Sequence, residues 1–176
     1  MDNYSKIIEN TIFKYYEKNY NFTFKTQKYT LSTIITGIFY VLRTGIAWHD
    51  YNGYVNGKTL YYHYNRFSKA GIFKIVYKIL LKKYLSKDKN KKLRYQFIDS
   101  TFIANINGID KIGRNRLLKN KKVSKISAIT DVNGIPLSLI LKEGNRYDSE
   151  MYNENMQLML IDVSKRKKYK KYFLAD

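Results

Sequence analysis

Two short apolar runs each lead into an aspartate: Tyr95-Gln96-Phe97-Ile98 into Asp99, and Tyr172-Phe173-Leu174-Ala175 into Asp176. Runs of this length and composition predict buried strands. A carboxylate delivered at the end of each is the oxygen ligand that hard divalent cations prefer. A sheet that joins the two ends would make half of a metal-dependent nuclease or transferase site. The pattern alone leaves a plainer reading open, since an aspartate that ends a strand is usually a turn residue in water.

Whether the ends can meet depends on the elements between them. Ile126, Ala128 and Thr130 alternate in a strand-like run to Asp131, and Asn133-Gly134 is a hairpin turn leading into Pro136 to Leu141. Helical spacing returns with Met151, Met156, Met159, Leu160 and Val163, with Ser149 as the expected cap and Glu150 in the first turn. A basic run from Lys165 to Lys171 then feeds the last strand. In the order strand, hairpin, helix, strand, a right-handed crossover returns the last strand parallel to the first. Asp99 and Asp176 would then lie side by side at the carboxyl ends of neighbouring strands, where open sheets place their sites.

Residues 1–85 have a different period. Leu31, Ile34, Ile35, Ile38, Phe39 and Leu42 fall at helical spacing, with Thr30 as a cap and Gly45 as a stop. Ile8, Ile12, Tyr15 and Tyr16 predict a helix near residues 4–20. Thr59 is the expected cap of a helix to about Lys69, which Ala70-Gly71 breaks, and Ile72, Ile75, Val76, Ile79 and Leu80 form the apolar face of another. The expected fold class is α+β: an all-α, helix-turn-helix-like bundle over 1–85, a basic linker over 86–94, and an α/β region over 95–176.

The chain carries 33 basic and 14 acidic residues, a formal charge of +19 over 176 residues. That excess predicts attraction to a polyanion, with double-stranded DNA the leading partner and RNA a weaker alternative. Candidate phosphate contacts are Arg43, Lys58, Arg66 and Lys69 in the helical region. A second set, Lys111, Arg114, Arg116, Lys119, Lys121, Lys122 and Lys125, falls in a stretch without acids and is expected to be a solvated loop when DNA is absent. Trp48 is expected to be a packing anchor. Without cysteine there is no disulfide or thiolate zinc site, and His49 and His63 stand too far apart to form a ligand pair. No apolar stretch approaches a membrane span and the N-terminus lacks a signal peptide's apolar core. The expected location is the cytoplasm, or wherever the DNA lies.

Several further motifs share one order. Leu42-Arg43-Thr44-Gly45-Ile46-Ala47-Trp48-His49-Asp50 and Tyr64-Asn65-Arg66-Phe67-Ser68-Lys69-Ala70-Gly71 precede Ile98-Asp99-Ser100-Thr101-Phe102. Gly113-Arg114-Asn115, Lys119-Asn120-Lys121-Lys122, Ser127 to Asp131 with Gly134-Ile135-Pro136, Gly144 to Asp148, and Leu174-Ala175-Asp176 follow. Together they resemble an insertion-sequence DDE transposase, of the group with a short helical N-terminal domain before a ribonuclease H-like catalytic domain. The resemblance implies that Asp99 and Asp176 are the first two catalytic carboxylates, holding two Mg²⁺ or Mn²⁺ ions about 3.5–4 Å apart for in-line cutting and joining of element ends. It also implies a Lys-Gly-Tyr-Asp continuation, a further strand and a glutamate-bearing helix after the second aspartate. Glu143, Glu150 and Glu154 all precede Asp176 and do not match that glutamate. The expectation is therefore a truncated or split transposase, inactive alone, which acts with a missing C-terminal half or as a homo-oligomer. The alternative is a non-enzymatic DNA-binding module that inhibits an intact transposase.

Overall fold

The computed structural model describes residues 3–20, 28–87, 92–105, 108, 110–160 and 172–175. The chain divides into two compact units, Met1–Leu81 and Lys82–Asp176. The layout is α+β, with helices in the first part followed by a mixed sheet and a helix.

The first unit contains α1 (Asn3–Tyr20), α2 (Leu31–Thr44), a 3-10 turn (Trp48–Asp50), α3 (Gly57–Lys69) and the start of α4 (Ile72–Leu85). Helix α2 begins where the sequence indicates, because the Thr30 side chain accepts a hydrogen bond from Thr33 N at 3.2 Å. It stops at Gly45, whose φ of 71° lets its N–H turn back to Val41 O at 2.9 Å. The helix buries Ile34, Ile35, Ile38 and Val41, while Phe39 and Leu42, expected on the same face, are exposed. The core is completed by Ile12 and Tyr16 of α1, Val55, Leu60 and Phe67 near and on α3, and Ile72 and Val76 of α4.

Two boundary details depart from expectation. Asn56, not Thr59, caps α3, accepting from Lys58 N at 2.9 Å, so Thr59 lies within the first turn. On α4 the buried positions are Ile72, Val76, Leu81 and Leu85, and Ile75 and Ile79 are more than a third exposed.

The second unit is built on a five-stranded sheet of β1 (Tyr95–Ala104), β2 (Gly113–Asn115), β3 (Lys121–Thr130), β4 (Pro136–Glu143) and β5 (Tyr172–Ala175), with α5 (Asp148–Gln157) packed on β3 and β4. Strand β3 is the spine. One edge pairs antiparallel with β1; the other pairs with β2 at Lys121–Val123 and with β4 beyond it. Strand β5 lies parallel to β1 on the side away from β3, with Ile98 opposite Ala175. This is the expected parallel pairing. Val123, Ile129, Leu137, Ile140 and Met151 are the buried hydrophobics among the described residues of the sheet and of α5, and Leu93, just before β1, is buried as well.

Three expectations change here. Helix α5 opens at Asp148 with no side-chain cap, so Ser149 lies inside its first turn, and it ends at Gln157 rather than continuing through Met159 and Leu160. Val163 and the Lys165 to Lys171 run lie outside the described residues. The basic stretch between β1 and the hairpin is not a plain loop: it forms β2, an ordered turn at 116–120 and the first residues of β3.

Candidate functional site

Asp99 sits on β1, one residue past the last pair that β1 makes with β5. Its Oδ1 accepts the N–H of Ser100 at 2.6 Å. Asp176, expected beside it, lies outside the described residues. Asp99 is not at the end of its strand as expected, because β1 runs on to Ala104 and pairs Asp99 with Ala128 of β3. A cleft of about 350 Å³ opens where β5 ends, lined by Ile98, Asp99, Ser100, Ser127, Asp148 and Ala175 among others. Its polar donors are carboxylates and hydroxyls, an all-oxygen set that suits Mg²⁺ or Mn²⁺. Among the described residues, no group of three acidic or histidine side chains is placed to hold a metal.

The second carboxylate of the cleft, Asp148, is the residue that sequence reasoning missed. One oxygen accepts from Ser100 Oγ and the other from Lys125 Nζ at 2.8 Å. Lys125 was expected to meet phosphate; instead it is only 5% exposed, donating also to Arg146 O and lying 5.1 Å from the centre of the Phe102 ring. Its ammonium ties the start of α5 to β3, and Ser100 ties α5 to β1 directly after Asp99. No local signal marked this pair, because the expected alternation ran through Ile126, Ala128 and Thr130, whereas the buried face carries Val123, Lys125, Ser127 and Ile129.

Partial burial alone would raise the Asp148 carboxyl, but the hydrogen bonds from Lys125 and Ser100 and the Lys125 charge outweigh it and hold the group below its ordinary value. A carboxylate depressed in the folded state adds stability above its unfolded pKa and loses it as pH falls through the folded pKa. Asp148→Asn is therefore expected to weaken protection of the β3 amides in hydrogen exchange above the ordinary aspartate pKa of about 3.9, with the difference from wild type closing as pH falls through the lower folded-state pKa.

The remaining basic candidates separate clearly. Arg114 on β2, Arg116 and Lys119 in the following turn, and Lys121 and Lys122 at the start of β3 are exposed, as is Lys111. In the helical unit Arg43, Lys58 and Lys69 are exposed. Arg66 is half-buried: its guanidinium lies 5.1 Å from the Tyr16 ring centre and 5.5 Å from that of Tyr62, and it donates to Tyr62 OH at 3.3 Å. It serves as a staple between α1 and α3. His63 is buried beside Phe67, and burial first, then the Arg66 charge, lowers its pKa, so it supplies no positive charge at neutral pH. His49 is exposed and 3.3 Å from Asp50. Trp48 packs against Tyr61 and Tyr64 with ring centres 5.7 and 5.1 Å away, an anchor as expected.

Residues 9–77, within this helical unit, match the family model described as "Putative transposase of IS4/5 family (DUF4096)". Over that span the chain is similar to the N-terminal region of insertion-sequence transposases. No curated protein matches the chain. Within the matched region, Lys58, Tyr61, Tyr62, Asn65 and Lys69 recur at three- and four-residue steps along one side of α3, with Tyr61, Tyr62 and both lysines exposed. The sequence showed the lysines of this stripe but not the tyrosines, which have the same composition as those buried next to them. No described helix is long and apolar enough to cross a membrane.

Proposed function

We propose that this chain is a DNA-binding insertion-sequence transposase polypeptide whose second unit supplies the first part of a ribonuclease H-like, metal-dependent site for cutting and joining element ends. The observation that supports this most is the parallel pairing of β5 with β1 in the Ile98 to Ala175 register, which directs both strands toward the Asp99 end of the sheet. Asp99 and Asp176 are the proposed metal ligands. A bound Mg²⁺ or Mn²⁺ would neutralise phosphodiester charge and acidify an attacking water or 3′-hydroxyl. Asp99 would hold the cation, the Ser100–Asp148–Lys125 chain would fix α5 beside it, and Arg114, Arg116, Lys119, Lys121 and Lys122 would hold flanking phosphates.

Lys58 and Lys69, with the tyrosines between them, make α3 the proposed groove-facing helix, and Arg43 adds a backbone contact. A second reading, a non-enzymatic DNA-binding module that inhibits an intact transposase, is favoured by the family match falling wholly within one compact unit. One pair of measurements separates the two. The full chain should retain duplex DNA with an affinity falling roughly 10²-fold or more between about 50 and 200 mM salt. Nicking of supercoiled plasmid that requires Mg²⁺ or Mn²⁺ supports the enzyme, and retention without nicking supports the module. Salt-independent or absent retention would refute both.

A further inference from the structure

A second cleft in the sheet unit, about 620 Å³, lies between the 116–120 turn and the loop joining β4 to α5. It shares Asp148 with the Asp99 cleft. Its walls carry Arg114, Arg116, Leu117, Lys125, Arg146 and Tyr147.

Two of these side chains hold apolar surface in water at the cleft's rim. Leu117 is 88% exposed and Tyr147 is 73% exposed, one on each side of the cleft. The turn that carries Leu117 is stiffly built. Asn115, itself buried, donates from Nδ2 to Gly144 O at 2.8 Å and accepts Leu118 N on Oδ1 at 3.2 Å, so one side chain joins the turn to the opposite loop. Asn120 N closes the turn on Asn115 O at 2.8 Å, with Lys119 and Asn120 held at φ of 53° and 58°. At Gly144 a Cβ would stand 2.3 Å from Val123 Cγ2, so the opposite loop lies against β3 with no room for a side chain. A turn with left-handed residues and a buried asparagine brace holds an apolar tip in water, and its own fold gains nothing from that tip.

The charge around the two side chains identifies their partner. Arg146 is occupied by Glu143 and Glu150 at 3.5 and 3.4 Å. Among the described residues, Arg114 and Arg116 have no acidic partner. Unpaired guanidinium groups beside an exposed aromatic ring and an apolar tip match a nucleic-acid strand, whose phosphates take the cations and whose bases take the flat and apolar groups.

We infer that this cleft takes unpaired or unstacked nucleotides next to the Asp99 end of the sheet, with Leu117 as a wedge against the base stack and Tyr147 as a platform for a base. The inference rests on the transposase reading and goes further. It requires the DNA to be locally opened where it passes from the basic cleft toward Asp99. Inside a duplex both faces of each base are covered by its stacked neighbours, so within a continuous duplex Tyr147 can stack only on a base that has left the stack.

The test compares a perfect duplex of about 30 base pairs with the same duplex carrying a short run of unpaired nucleotides, binding of the full chain to each being measured by fluorescence anisotropy. Wild type is expected to prefer the interrupted duplex by about 10-fold, and Leu117→Ser and Tyr147→Ser each to reduce the ratio of the two affinities to within about 2-fold of unity. As a second measurement, 2-aminopurine at the unpaired position should be quenched by wild type and not by Tyr147→Leu. Equal wild-type affinity for the two probes, or a preference that survives both substitutions, would overturn the inference while salt-dependent duplex binding kept the transposase reading. Loss of binding to both probes by wild type would refute the two together.

Discussion

Asp99→Asn is expected to reduce Mn²⁺ binding by the full chain at least 10-fold, whereas Asp148→Asn is expected to change it less than about 2-fold. Both carboxylates line one cleft, so proximity does not distinguish them. Their existing commitments do. Asp148 gives one oxygen to Ser100 and the other to the buried Lys125, and a cation there would have to displace an ammonium that has nowhere else to put its charge. Asp99 gives one oxygen to the N–H of Ser100, and among the described residues its other oxygen has no partner. It can take a cation without breaking an ion pair. Electron paramagnetic resonance of free Mn²⁺ measures the affinity directly, and duplex retention by the same variants reports whether the protein is intact. The opposite order, with Asp148→Asn the more damaging, would place the cation on the α5 side and remove Asp99 from the proposed site.

The contrast between these carboxylates marks where sequence reasoning reached and where it stopped. Asp99 could be found because it ends an apolar run, a property of neighbours in the chain. The same local patterns gave α2 with both of its ends, the hairpin at Asn133-Gly134 and the parallel return of β5. Asp148 could not be found that way, because its partners are 23 and 48 residues distant and meet it only across the sheet. Lys125 misled for the complementary reason: among basic neighbours it looked like one more phosphate contact, and only the strand parity of β3 turns it inward. Strand β2 escaped notice because three residues carry too little periodicity, and its pairing depends on an asparagine bridging to Gly144. Asn56 displaced Thr59 as a cap since either can accept from an early helical N–H, and composition does not say which turn comes first.

Asp131→Ala is expected to cost the sheet unit about 3 kcal/mol, the largest stability loss of any single polar substitution there. Asp131 is fully buried at the β3 end of the hairpin and accepts three hydrogen bonds: Asn133 N and Ile135 N on Oδ1, each at 2.9 Å, and Tyr84 OH on Oδ2 at 2.8 Å. Bonds to an ionised acceptor contribute about 1.5–3 kcal/mol each, and removing the acceptor strands the donors. The three do not add, because Asn133 is exposed and water can reach its N–H. Tyr84 keeps the Asn133 side-chain amide at 2.6 Å but loses its acceptor. Its phenol is raised above the ordinary range, first by burial and then, against the Asn133 hydrogen bond, by the bond to Asp131 and its charge. Asp131→Asn keeps the shape and one carbonyl acceptor, which can still serve the two backbone N–H groups, and should cost about 1 kcal/mol. Urea denaturation followed through exchange of the β3 and β4 amides measures both. Equal losses for alanine and asparagine would mean that the shape and one carbonyl acceptor do not replace the carboxylate, and a loss under about 0.5 kcal/mol for alanine would mean that the turn holds without it.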